Sequence, residues 1–354
     1  WRAVKSIYLI GTPDSGKTAV ALGLALKLRQ EGFNPGYFKP VGSTAGVLDQ
    51  RDEDGVLMKT VLEMTDDLDT IVPLTAGSFY VSGQRDPKKC RDRVLASYQQ
   101  IAGRFDPVIV DGPSFPWVMA SFGLDAFSIA RDIGAGILCT MRTKSDFDFD
   151  AALFFNHYAL SKGLPLVGNI FNNIPRPMLA KAQGVYAQLL ESFGYRLLGV
   201  IPSRPEIHAP TVAEYYDVLG GEILTGEDKL DLLVEDVLIG AMTIESALGT
   251  LRRALNKAVI IGGDRSDYAL AALETSTSVL ILTGGLYPHI NVITRAKEKG
   301  VPVILVHYDT VTTIEQISKV ARRIRPGDQK AIALALENVE RYCDWPAILE
   351  SLKT

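Results

Sequence analysis

The sequence is poor in the residues that staple small folds or hold metals. Among its 354 residues are three cysteines (Cys90, Cys139, Cys343) and four histidines (His157, His208, His289, His307), all widely separated. No two cysteines form a CxxC pair, which argues against a disulfide framework and against a thiolate or His/Cys metal centre. No apolar run reaches the roughly 20 residues of a membrane span, and the first residues lack the pattern of a secretory signal. A reducing cytoplasm and no membrane partner are therefore expected. Basic excess is missing too: 37 Lys and Arg against 41 Asp and Glu give a net charge of −4. Without a basic stripe, no nucleic-acid partner is expected. Arg322, Arg323 and Arg325 follow an amphipathic stretch and read as the cationic end of a solvated helix. The chain opens on Trp1 rather than Met, so a few residues are expected to precede it.

What remains is an ordinary globular composition, 47% hydrophobic and 22% charged. The length suggests about two domains. Short apolar runs at 6–10, 36–41, 107–111, 136–141, 165–171 and 196–201 read as strands. Helical periodicity at 17–31, 55–64, 87–102, 124–133, 148–162 and 178–193 alternates with them. Such alternation predicts parallel βαβ units with helices on both faces of a sheet. A turn-rich stretch at 203–210 interrupts the pattern. Strands are then expected at 234–239, 257–262, 278–283 and 302–307, with helices at 211–219, 243–255, 267–275, 290–299 and 313–324. Residues 328–354 read as one or two terminal helices with Pro346 between them. The fold class predicted is α/β: a P-loop domain over 1–204, a smaller α/β domain over 205–326, and a helical tail over 327–354. Tyr215, Tyr216 and Leu219 read as core, and the acidic stretch 226–236 as a solvated loop and helix face.

The first strand runs into Gly11-Thr12-Pro13-Asp14-Ser15-Gly16-Lys17-Thr18, which satisfies GxxxxGK[ST] between a strand and a helix, the context that pattern requires. The backbone there must curl so that successive N–H groups face phosphate oxygens. Gly11 and Gly16 permit that, and the helix N-terminus favours an anion. Lys17 suits the β and γ phosphates, and the Thr18 hydroxyl suits magnesium. Asp111, at the end of strand 107–111, stands where a carboxylate partner for the metal is needed, since ligands collect at the carboxyl ends of parallel strands. A turn-forming role before Gly112-Pro113 is its alternative. Asp49, Asp52, Glu53 and Asp54 precede a helix, where acids are ordinary capping chemistry. Lys39, taken alone, reads as a solvated lysine.

These motifs, with Tyr37-Phe38-Lys39-Pro40-Val41, Val110-Asp111-Gly112, Asn172 and Gly199-Val200-Ile201-Pro202, resemble in order and spacing the dethiobiotin synthetase-like P-loop proteins. Further on, Gly263-Asp264-Arg265-Ser266-Asp267 and Leu282-Thr283-Gly284-Gly285 resemble the two signatures of the DRTGG domain. The pair, over about residues 5–325, is similar to the N-terminal, non-catalytic region of long bacterial phosphotransacetylases. The acyltransferase domain of those enzymes is not expected here, because the chain ends at Thr354. The resemblance implies ATP and magnesium as cofactors. It implies that Lys17 and Thr18 hold phosphate and metal, that Asp54 and Asp111 complete the metal site, and that Lys39 reaches the γ-phosphate or a carbamate. It further implies that Asn172 and Pro202 contact adenine, and that the protein forms a dimer. The sequence departs from the synthetases at Gly112-Pro113-Ser114-Phe115-Pro116-Trp117, where they have a small-residue, glycine-rich substrate loop. Its phosphate loop is also shorter than theirs.

In the second domain, residues 264–267, 283–285 and 309–310 each follow a strand, so three loops are expected to line one crevice. Asp264, Arg265, Ser266, Asp267, Thr283, Gly284 and Gly285 would offer a small anion or nucleotide phosphate the glycine N–H groups and a guanidinium. Ser266 or Asp267 as a helix N-cap and Gly284-Gly285 as a tight turn are the alternative. Together these observations lead to an expected nucleotide- or metabolite-sensing regulatory protein, with a small effector in the second domain. An ATP-dependent carboxylate or carbamate ligase is the second reading. An assembly module with a relic P-loop ranks third, because Lys17, Thr18, Asp54 and Asp111 are all present.

Overall fold

The structure is a computed structural model and describes residues 5–43, 52–77, 79–82, 85–318, 320 and 324–352. Asp49, Arg322 and Arg323 lie outside the described residues. The chain divides into two compact units, Trp1–Ile207 with Ile324–Thr354, and His208–Arg323.

The first unit is built on a parallel six-stranded sheet. Its strands are β1 (Ser6–Gly11), β2 (Gly36–Phe38), β5 (Val108–Asp111), β6 (Gly136–Met141), β7 (Leu166–Ile174) and β8 (Leu197–Pro202), in the order β2-β5-β1-β6-β7-β8. All six residues of β1 are buried, as a central parallel strand covered on both faces requires. The chain runs from β1 to β2 on one side and later crosses from β5 to β6 on the other, which places a topological switch point at the carboxyl ends of β1 and its neighbours.

The strand expected over 36–41 is two strands. Pro40 has no N–H to continue the ladder. Past it, β3 (Val41–Ser43) leaves the main sheet and pairs in parallel with β4 (Leu74–Ala76), a strand with no signal in the sequence. The helix expected over 178–193 is interrupted by a π-helical segment at Ala182–Tyr186. After residue 327 there are two helices, Gln329–Tyr342 and Trp345–Leu352. Pro346 lies inside the second rather than between them, in the first turn, where its missing N–H has no partner to lose. Both belong to the first unit. A Cβ on Gly23 of the helix Lys17–Gln30 would come within 2.3 Å of the Ala335 carbonyl, so that glycine permits the close crossing.

The second unit holds a five-stranded sheet of β9 (Glu222–Thr225), β10 (Asp236–Ile239), β11 (Lys257–Gly262), β12 (Thr277–Thr283) and β13 (Val303–Leu305), in the order β10-β11-β12-β13-β9. Strand alternation sorts its core onto two faces: Val259, Ile261, Leu280 and Leu282 on one, Ala258, Ile260, Val279 and Ile281 on the other. Tyr215 and Leu219 pack on the second face, with Tyr216 partly buried beside them, as expected of core residues. The edge strand β9 runs antiparallel to β13. It was not anticipated, because four residues running from exposed Glu222 to buried Thr225 carry little pattern. Among the described residues no helix is long and apolar enough to cross a membrane.

Candidate functional site

The loop after β1 curls as its residue types require. Asp14 and Gly16 have positive φ angles of 57° and 70°, and Gly16 sits at the N-cap of the helix Lys17–Gln30. Gly11 has no room for a side chain, since a Cβ would meet the Thr140 carbonyl oxygen at 2.0 Å. Lys17 is buried, and its Nζ donates to the Thr12 carbonyl at 3.1 Å, so the ammonium lies against the loop backbone. Burial pulls its pKa below the ordinary lysine range, and the Asp111 carboxylate acts against that pull.

Asn172, near the carboxyl end of β7, is 2% exposed and donates its side-chain amide to the carbonyls of Ser15, at 2.8 Å, and Gly16, at 3.4 Å. The amide N–H groups expected to face adenine brace the phosphate loop in this structure. Pro202 ends β8, paired in register with Ile174.

The carboxyl end of β5 brings together residues expected at the metal site. Thr18 Oγ1 donates to Asp111 Oδ2 at 3.0 Å. The Tyr37 hydroxyl donates to the same oxygen at 2.9 Å. Asp111 Oδ1 is buried without any hydrogen-bond partner. Burial raises the Asp111 pKa, countered first by the Lys39 charge, while Asp54 pushes it further up.

Lys39 is not a solvated lysine. Its Nζ lies 3.0 Å from Asp52 Oδ2 and 2.5 Å from Asp54 Oδ2, with the lysine side chain 6% exposed and the carboxylates 2% and 23% exposed. Burial, the largest influence, pulls its pKa down, but Asp54, Asp52 and Asp111 together lift it above the usual lysine range. Asp52 also caps the helix Glu53–Val61 by accepting from Gly55 N. The capping expected of this acidic group and an ion pair thus coexist. Asp54, implied as a metal ligand, is held by Lys39 here.

Among the described residues, no three His, Cys, Asp or Glu converge tightly enough to hold a metal alone. The fit to magnesium rests on Asp111 Oδ1, an orphaned buried oxygen beside a Thr18 hydroxyl. Magnesium commonly takes one or two carboxylates and completes its shell with phosphate oxygens and water, so this donor set suits it.

Several buried polar atoms near this edge were missed from sequence. Thr140 Oγ1, Arg142 Nε, Thr143 Oγ1 and Asn173 Oδ1 have no hydrogen-bond partner, and Asn173 has φ 55°. Their signal was position alone, at the carboxyl ends of β6 and β7. Tyr37 was quoted only as part of a motif. The loop after β5, expected to depart from the synthetases, is folded into turns. Val118 N donates to the Phe115 carbonyl at 3.1 Å and Ala126 N to the Pro116 carbonyl at 2.8 Å. The Phe115 and Trp117 rings stack with centroids 4.8 Å apart.

In the second unit the strand-end loops do converge. Ser266 Oγ accepts from His289 N at 3.3 Å, and Thr283 meets Thr310 hydroxyl to hydroxyl at 3.0 Å. The groups expected to cradle an anion are engaged within the fold. Gly284 N donates to the Tyr308 carbonyl and Gly285 N to the Val306 carbonyl, at 2.8 and 2.9 Å. The Arg265 guanidinium donates to the Gly240 and Met242 carbonyls, both at 3.2 Å, and its Nε lies 3.8 Å from Asp267. The helix N-cap is Arg265 rather than Ser266 or Asp267. Both glycines have positive φ, as a tight turn requires. Asp264 follows β11, its Oδ1 2.5 Å from where a Gly262 Cβ would stand.

Residues 5–211 match the AAA domain family, the β1 loop and Asp111 included. The chain belongs to that family. Residues 214–320 match the DRTGG domain. The phosphate acetyltransferase of Nitratidesulfovibrio vulgaris is 27% identical over 367 residues, covering 96% of this chain and 50% of that protein. The chain is homologous to such enzymes and spans about half the length of the curated relatives it matches across most of its own. A segment of 43 residues is 51% identical to the ATP-dependent dethiobiotin synthetase of Caldicellulosiruptor saccharolyticus, covering 12% of this chain and 18% of that protein. Among solved structures, the septum site-determining protein MinD complexed with Mg-ADP from Pyrococcus horikoshii aligns with a TM-score of 0.37 and 18% identity, covering 57% of this chain and 83% of that one.

Proposed function

We propose that this AAA domain protein binds Mg-ATP in its first unit and acts as a nucleotide-responsive regulator, with a small effector at the strand-end loops of its second unit. The observation that carries the nucleotide reading is the Thr18–Asp111 contact at 3.0 Å beside an unpartnered Asp111 Oδ1. A hydroxyl and a carboxylate so arranged, next to a phosphate loop, form the protein's share of a magnesium site. Bound magnesium would neutralise phosphate charge. Lys17 would move from the Thr12 carbonyl to the β and γ phosphates, and the helix N-terminus would receive the anion.

The regulatory half of the reading is supported by Lys39 and by the loop after β5. Positioned cations drive phosphoryl transfer by stabilising charge that develops in the transition state. Lys39 is neutralised by two carboxylates, and the loop at 112–117 is occupied by two prolines and a stacked aromatic pair. The 43-residue likeness to a dethiobiotin synthetase favours an ATP-dependent ligase as the second reading. In that case Lys39 must leave its carboxylates to reach an acyl or carbamoyl phosphate.

Titration calorimetry with Mg-ATP, together with ADP release alone and with bicarbonate plus diaminopelargonate, tests both readings. Binding by the wild type, lost in Lys17→Ala, with turnover unstimulated by the amine, supports the regulator. Amine-stimulated turnover replaces it with the ligase. Equal binding by wild type and Lys17→Ala rejects the nucleotide site itself.

A further inference from the structure

Resting on that nucleotide reading, we propose that Tyr37 is a positioning residue of the metal site, holding Asp111 so that one carboxylate oxygen faces the magnesium of bound Mg-ATP. Asp111 Oδ2 accepts two hydroxyl donors, Thr18 at 3.0 Å and Tyr37 at 2.9 Å. Two donors fill the two lone-pair directions of one oxygen and fix the carboxylate's rotation. Oδ1 is then the oxygen left over, and it is buried without a partner. A buried carboxylate oxygen in that condition is costly unless a ligand is to meet it.

Strand geometry explains how Tyr37 arrives there. Side chains two apart on a strand share a face, so Tyr37 and Lys39 both reach the charged cluster. Phe38 points the other way, to the Tyr98 ring, with centroids 5.7 Å apart. Tyr37 is fully buried, and burial, followed by the Asp111 charge, pushes its phenol well above the ordinary tyrosine value. The hydrogen bond also works on Asp111 itself, since a donor to the ionised carboxylate favours the charged form that a cation needs.

The test is Tyr37→Phe in the full chain, which keeps the ring and its volume. Affinity for the non-hydrolysable analogue AMP-PNP is measured by calorimetry in magnesium chloride and in EDTA. The wild type binds more tightly with magnesium. The variant loses about tenfold of that gain, the loss expected for one charge-assisted hydrogen bond, while its EDTA affinity stays within about twofold. A role confined to packing would lower the melting temperature and leave the magnesium-to-EDTA ratio unmoved. An unchanged ratio in a folded variant overturns the inference and leaves the nucleotide reading standing. A wild type whose affinity is the same in both buffers overturns the nucleotide reading, and the inference falls with it.

Discussion

Lys39→Met isolates the buried charge cluster. Methionine fills much of the lysine stem, so the change is mainly loss of the cation facing Asp52 and Asp54, whose side chains are 2% and 23% exposed. Removing one partner of a buried ion pair costs about 3–5 kcal/mol, because the remaining charge is left uncompensated. Asp52 keeps its hydrogen bonds from Gly55 N at 3.0 Å and Ser43 N at 3.1 Å, and Asp54 is partly hydrated. The loss should therefore fall at the lower end, about 3 kcal/mol. At about 2–4 °C per kcal/mol for a unit of this size, the first unit should melt about 6–12 °C lower. Circular dichroism or calorimetric melting measures it. The pH dependence has a definite sign. The folded pKa of Lys39 lies above its ordinary value of 10.5, so its contribution is fully present below 10.5 and fades only as pH rises through the folded value. The gap between wild type and variant should stay constant through neutrality and close only in strong alkali. Adding Asp52→Asn should restore part of the loss, because it removes the orphaned charge. A loss under about 1 kcal/mol, a gap that closes near neutral pH, or a double variant no more stable than the single would each refute the reasoning.

Gly263→Ala should destabilise the second unit by about 2–3 kcal/mol, read as a lower guanidinium midpoint, because the new Cβ would stand 1.7 Å from the Leu286 carbonyl oxygen; an unchanged midpoint would mean the two loops are not packed as described. Asn172→Ala removes the two bonds that brace the phosphate loop. ATP affinity should fall about five- to tenfold with under about 2 kcal/mol of stability lost. Preserved affinity would mean the loop holds its curl unaided.

The phosphate loop was legible because its chemistry is local. Eight consecutive residues specify a strand, a curl and a helix, and the fold has no other way to use Gly11, which touches the Thr140 carbonyl. Asp111 was found by its place at a strand end. Lys39 was misjudged from the residues alone because its partners, Asp52 and Asp54, lie on a different element, and nothing in the local sequence marks that meeting. The resemblance singled out the residue but not its present occupation by carboxylates. The same limit hid β3, β4 and β9. Short strands register only where they form apolar runs, as at 107–111 or 302–307; β4 and β9 do not, and pairing supplied by distant strands decides them. In the second unit, spacing identified which loops meet, whereas the direction of each N–H group emerged only from the backbone.

The close crossing at Gly23 and Ala335 means that the first unit is not a contiguous stretch of chain. Its last helices come from beyond residue 324, so the second unit is spliced into it, attached by backbone at both ends. A polypeptide cut after the matched DRTGG residues would strip the first unit of a core helix carrying Ala331, Ala335 and Val339. It follows that synthesis must pass through the whole inserted unit before the first unit can finish folding, and that one proteolytic nick between the units would not set them apart.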